Sequence, residues 1–146
     1  MQIDIQVLDK HFYLKNLFIK RLCAEVIRFA WQKKEEVIVS VVLADNDFVH
    51  DLNKRYRGKD QPTNVLSFEN EFPFAGDIVI AYDVVCQEAK AQHKSFKAHL
   101  THLLIHGALH LQGYDHLTDK QALKMEKLET KLMKQLGFND PYEGVM

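Results

Sequence analysis

Two cysteines in 146 residues are too few for the disulfide framework that holds small secreted domains together. Cys23 and Cys86 both fall within apolar helical patterns, so they are expected as buried free thiols in a reducing compartment. An excess of one charge is missing as well: 19 Lys and Arg balance 20 Asp and Glu, for a net charge of −1 and a pI near 6.7. That balance excludes a whole-protein electrostatic footprint for nucleic acid, so any RNA or DNA contact has to rest on a local patch. No apolar run approaches the roughly 20 residues that span a bilayer. The first residues, Met1 to Gln6, alternate polar and apolar and lack the basic-then-apolar pattern of a signal peptide. The expected address is the cytoplasm, without a membrane partner.

What is present is ordinary globular material, 47% hydrophobic and 27% charged, long enough for one domain spanning residues 1–146. Ile3, Ile5 and Val7 alternate like a strand. From Lys10 to Lys34 apolar residues recur at helical spacing. Residues 36–44 are rich in β-branched side chains and read as a buried strand. Asp45 is placed to cap a helix over 46–56, a polar loop carrying Gly58 and Pro62 follows, and two short strands are expected over 64–69 and 76–82. Asp83 is a candidate cap for a helix over 84–93, and a second, apolar helix covers 96–111. Thr118 and Gln121 form a capping-box pattern opening a last helix, whose apolar side is read as Leu123, Leu128, Leu132 and Leu136, with Gly137 closing it. Strands come early and helices dominate late, which predicts an α+β fold with a sheet of about four strands.

The chemistry is concentrated between residues 106 and 116. His106 and His110 stand four apart, one helical turn from each other on the same face. Gly113 lies where a helix can end in a left-handed residue, after which the chain can bring His116 back to the same point. Three imidazoles leave one position of a tetrahedral ion open, the layout of a catalytic zinc site rather than a closed structural one. The spacing is that of the metzincin peptidases, HExxHxxGxxH, with Gly107 where those enzymes carry their general-base Glu. Zinc suits the donor set, although another divalent ion such as nickel fits it too. His102, one turn before His106, is read as a partner of a ligand, a substrate contact or an ordinary helix residue. His11, His50, His93 and His99 are read as surface or packing residues.

Beyond the histidines, the run from Leu52 to Phe68, the strand Gly76 to Ile80, the stretch His102 to His116, and Met125, Glu129, Leu136 and Gly137 give the chain its likeness. It resembles the YbeY family of bacterial ribosomal-RNA maturation factors over nearly its whole length. Glu69 departs from the pattern, since many members carry proline there. The resemblance implies an α+β metalloprotein with zinc on three histidines and single-strand-specific endoribonuclease activity. That activity is tied to 3′-end maturation of small-subunit rRNA and ribosome quality control. A ribosomal protein or a ribosome-associated GTPase is a possible protein partner, and DNA is not expected.

A His-only site leaves the ion its full double charge, enough to activate water or to polarise a phosphoryl oxygen. With no Glu at position 107, the proton acceptor stays open among hydroxide itself, Asp115, His102 and a substrate phosphate; Asp115 is read equally as a group that orients a ligand. The family pattern places a functional arginine at Arg57, whose planar guanidinium can grip two phosphoryl oxygens. Lys54, Arg55, Arg57 and Lys59 form the densest cationic stretch, read as an RNA-backbone contact or as a solvated helix end. In this reading Arg55, Lys59 and His102 contact substrate, while Thr63, Asn64 and Ser67 supply hydrogen bonds to RNA or to the turn. The rival readings are a non-catalytic, metal-stabilised ribosome-assembly factor and, with the base missing, a metallopeptidase.

Overall fold

The structure, a computed structural model, describes residues 1–9 and 16–143. Within them the chain runs β1 (Gln2–Val7), α1 (Asn16–Ala30), β2 (Ile38–Ala44), α2 (Asn46–Arg57), β3 (Val65–Glu69), β4 (Phe74–Ala81), α3 (Tyr82–Ala91), α4 (Phe96–Leu111) and α5 (Asp119–Gln135). The four strands form one mixed sheet in the order β1-β2-β4-β3, with β1, β2 and β4 parallel and β3 antiparallel to β4 at the edge. The architecture is the expected α+β with four strands.

Strand alternation divides the core into two layers. Val39, Val41 and Leu43 of β2 and Ile78 and Ile80 of β4 face α1 and α4, where Ile27, Leu104, Ile105 and Leu109 complete the main core. Their neighbours Val42, Ala44, Val79 and Ala81 face the other way and pack with Val49 and Leu52 of α2. On β3, Leu66 and Phe68 join the α2 layer, and Val65 joins the main core. α4 is buried on nearly every side between His99 and Leu111, as a helix packed within the core is.

Several local expectations need correction. α1 stops at Ala30 rather than Lys34, because Gln112 ends it from a distance. The Gln112 side chain donates to the Ala30 carbonyl at 3.0 Å and accepts from the Gln32 amide at 2.6 Å. The expected start of that helix, Lys10 to Lys15, and with it His11, lies outside the described residues. Asp83 caps nothing: α3 begins at Tyr82 with Ala81 as its N-cap, which places Asp83 inside the first turn. In α5 the capping box of Thr118 and Gln121 forms as expected, but the buried side is Met125, Glu129, Leu132 and Met133. Leu123 and Leu136 are exposed. Cys23 and Cys86 form no disulfide, and only Cys23 is fully buried, Cys86 being half-buried. Burial pushes the Cys23 thiol up to about 12 against a backbone hydrogen bond, so it stays protonated.

Candidate metal centre and groove

α4 carries His106 and His110 on adjacent turns, and Gly113, with φ of 98°, turns the chain so that His116 returns to them. One ring nitrogen from each of the three histidines lies within 4.8 Å of the other two, so the group could hold a metal ion. Hydrogen bonds decide which nitrogens are free. His106 Nδ1 meets Glu129 Oε1 at 2.9 Å, and His110 Nδ1 meets the Tyr114 carbonyl at 2.9 Å. A carboxylate and a carbonyl only accept, so both Nδ1 atoms carry the proton and both Nε2 atoms present lone pairs. Those Nε2 atoms are 3.0 Å apart. Burial, and then the His106 and His116 rings, push His110 down to about 4, so at neutral pH it is uncharged. Two lone pairs facing each other this closely are stabilised by a shared cation, and the donor set therefore fits a metal.

Glu129 is the residue that sequence reasoning left without a role. It is 1% exposed on α5, and its Oε1 accepts from both His106 Nδ1 and His102 Nε2, each at 2.9 Å. Its Oε2 accepts from the Tyr142 hydroxyl at 2.7 Å. Burial alone would raise its pKa, but the hydrogen bonds from His102 and His106 outweigh that and hold the carboxyl at about 2. Burial, reinforced by that carboxylate, pushes the Tyr142 hydroxyl well above its usual range, so it remains a donor. The available signal was positional: Glu129 sits four after Met125 and four before Met133, on the face that has to be buried.

The histidines open onto a groove of about 710 Å³ between the α4 turn and the edge strand β3. Arg57, Lys59, Thr63, Asn64, Ser67 and Asp115 line it together with the three histidines. Arg57 ends α2; its Nη2 donates to the Ser67 carbonyl at 2.5 Å and its guanidinium lies 5.5 Å from the Phe68 ring centroid. Asp115 Oδ1 accepts from the His116 amide at 2.7 Å, which fixes the turn carrying the third histidine.

Two residues expected to contact substrate do not line this groove. Arg55 is not in the groove but pairs along α2 with Asp51 at 3.1 Å. His102 is committed to Glu129 and stands edge-on to Tyr142, with ring centroids 5.3 Å apart, away from the groove. Lys54 sits 3.8 Å from Asp60. Of the histidines read as packing or surface residues, His99 is buried against Glu88, His50 pairs with Asp60, and His93 is exposed in a left-handed turn.

Gly107 is enclosed. A Cβ there would come within 3.0 Å of Ile78 Cγ2 and 3.2 Å of Ser67 Oγ. A side chain at the position where a metzincin carries its base would therefore press on the sheet.

Comparison with known proteins agrees with this geometry. Residues 4–137 match the family described as "Endoribonuclease YbeY". A curated relative from Hydrogenovibrio crunogenus, named Endoribonuclease YbeY, is 50% identical over 120 residues, covering 75% of this chain and 75% of its own. A Thermotoga maritima protein, solved in solution, superposes with a TM-score of 0.62 at 31% identity, over 92% of this chain and 89% of that one. With a family match over nearly the whole chain and a half-identical relative of that name, the chain belongs to the endoribonuclease YbeY family.

Proposed function

We propose that the protein is a zinc-dependent, single-strand-specific endoribonuclease. Its place is maturation of the 3′ end of small-subunit rRNA and ribosome quality control, in the cytoplasm. The observation that carries the reading is that the three imidazoles and Arg57 line one groove. His106, His110 and His116 would hold the ion, which when bound supplies Lewis acidity and activation of water.

The protein's own groups do the rest. Arg57 binds the scissile phosphate: its contacts with the Ser67 carbonyl and Phe68 fix the guanidinium plane, and the remaining N–H donors are left for phosphoryl oxygens. Lys59 adds a backbone contact weakened by salt. Asp115 orients His116 through its backbone and, half-buried at the groove, is the carboxylate nearest in sequence to a ligand that could take up a proton. His102 acts through Glu129, helping to fix that carboxylate and hence His106. A metallopeptidase is disfavoured because Gly107 stands where that chemistry needs a Glu, at a position where a side chain would press on Ile78 and Ser67. With a net charge of only −1, the chain is expected to reach ribosomal RNA with a ribosomal protein or a ribosome-associated GTPase.

The test is cleavage of an end-labelled single-stranded RNA and its duplex by zinc-loaded protein, beside identically purified His110→Ala and Arg57→Ala. Cleavage of the single strand alone, lost in both variants, supports the reading. Equal cleavage by all three preparations exposes a contaminant. No cleavage by folded, zinc-bound wild type points instead to an assembly factor that does not cut RNA.

A further inference from the structure

After α5 the chain does not leave the molecule; it folds back across the two helices that carry the site. Phe138 packs against the main core. Asp140 Oδ1 accepts from the Thr130 hydroxyl at 3.3 Å and from the Tyr142 amide at 2.9 Å. The Lys94 ammonium, from the turn between α3 and α4, donates to the Pro141 carbonyl. These tethers set Tyr142 edge-on to His102 and bring its hydroxyl to Glu129 Oε2 at 2.7 Å.

The arrangement has a chemical consequence for the metal centre. Glu129 Oε1 already serves two imidazole N–H groups, so Oε2 must find its own donor. A carboxylate oxygen this deeply buried is costly without one. Tyr142 is the donor to Oε2, and it holds the carboxylate by the oxygen that His106 does not use. Without the hydroxyl, Glu129 is free to turn towards another donor, and His106 Nδ1 loses the acceptor that fixes its tautomer and ring plane.

We propose that Tyr142 is a positioning residue for the metal centre: by fixing Glu129, its hydroxyl pre-orients His106, so that metal affinity depends on the C-terminal segment being docked. The inference rests on the metal-binding reading above. It adds a residue 26 positions beyond the last histidine, on a segment that does not line the groove.

The experiment compares wild type, Tyr142→Phe and Asp140→Ala. Zinc dissociation constants are measured by competition with a chromophoric chelator, and imidazole ¹⁵N spectra are recorded on the zinc-free proteins. Tyr142→Phe keeps the ring and its packing and removes only the hydrogen bond. It is expected to weaken zinc binding about tenfold, at the low end for outer partners of metal ligands. The His106 Nδ1 resonance should also move towards a tautomeric mixture. A purely structural role for the tail would lower thermal stability while leaving the affinity and the His106 signal of the folded protein unchanged, and that result overturns the proposal. Asp140→Ala loosens the strap but leaves Tyr142, Glu129 and every histidine in place; should Tyr142→Phe fail to fold, it carries the test. Weakened zinc binding in that variant supports the proposal, and unchanged binding overturns it. Absence of zinc binding by wild type would instead remove the metal site itself.

Discussion

Ile78 closes the space beside Gly107: a Cβ at that position would come within 3.0 Å of Ile78 Cγ2. In an ordinary helix, replacing Gly by Ala stabilises by up to about 1 kcal/mol. Here the obstructing methyl belongs to a β-branched residue that is itself fully buried, so it cannot swing away. Gly107→Ala is expected to destabilise by about 1 kcal/mol, overpacking outweighing propensity. Equilibrium denaturation measures this, and a stabilised variant would show the sheet to be softer than it looks. Gly107→Glu is expected to cost more than the alanine and to gain no peptidase activity, read in a fluorogenic peptide assay.

Arg57 and a lysine at the same place are not equivalent. The guanidinium donates to the Ser67 carbonyl while lying against Phe68, which requires a planar group with several donors. Arg57→Ala should lower single-turnover RNA cleavage by about 10²- to 10³-fold, the scale of a lost transition-state donor. Arg57→Lys should recover little of it. Because Arg57 is exposed, the melting temperature should barely change in either variant. Full rescue by lysine would mean that only charge matters at this position.

Gln112 clamps the end of α1 to α4. Its side chain serves the Ala30 carbonyl, the Ala108 carbonyl and the Gln32 amide. Gln112→Ala removes all three bonds, although the Ala30 carbonyl keeps the Gln32 side chain and the exposed Gln32 amide can reach water, so a loss of about 1–2 kcal/mol is expected. Urea unfolding of the variant checks it. A loss under about half a kcal/mol would mean that water replaces the side chain.

Acid should act through Glu88, whose carboxylate accepts from His99 Nε2 at 2.9 Å and from Asn64 Nδ2 at 2.8 Å. The His99 hydrogen bond, with help from Asn64, lowers its pKa below the usual 4.5 against the effect of burial. A carboxyl depressed in the folded state contributes stability that is fully present above its unfolded pKa and is lost as pH falls through the folded value. Wild type should therefore lose melting temperature below about pH 4.5 more steeply than Glu88→Gln does. Parallel curves would remove Glu88 from the acid response.

The three-histidine arrangement was legible because it is local: a turn of helix, a glycine and a return are written within eleven residues. Alternation gave β1, a β-branched run gave β2, and two short strand-like segments gave β3 and β4, each to within a few positions. What escaped was polar and long-range. Glu129 resembles any charged residue on an amphipathic helix until α4 is packed against it. Gln112 ends a helix that lies some 80 positions earlier in the chain, a relation that no local window contains. Reading α5 by its leucines placed the buried side too near Leu123 and Leu136, because methionines and a paired glutamate fill it instead. For His102 the three readings stayed open because its carboxylate partner lies 27 positions away on another helix.

All three histidines come from one short stretch, and only five residues separate His110 from His116. An ion shared by them closes a very small loop, so it takes little entropy from the unfolded chain. Within that loop Leu111 and Tyr114 pack on the main core and Gln112 holds the end of α1, which leaves Gly113 and His116 as its exposed residues. Chelation should therefore relax the turn around Gly113 and His116 while the rest of the molecule stays folded, unlike a zinc finger, whose fold is its metal. Loading and removing such an ion would then need no cycle of unfolding and refolding.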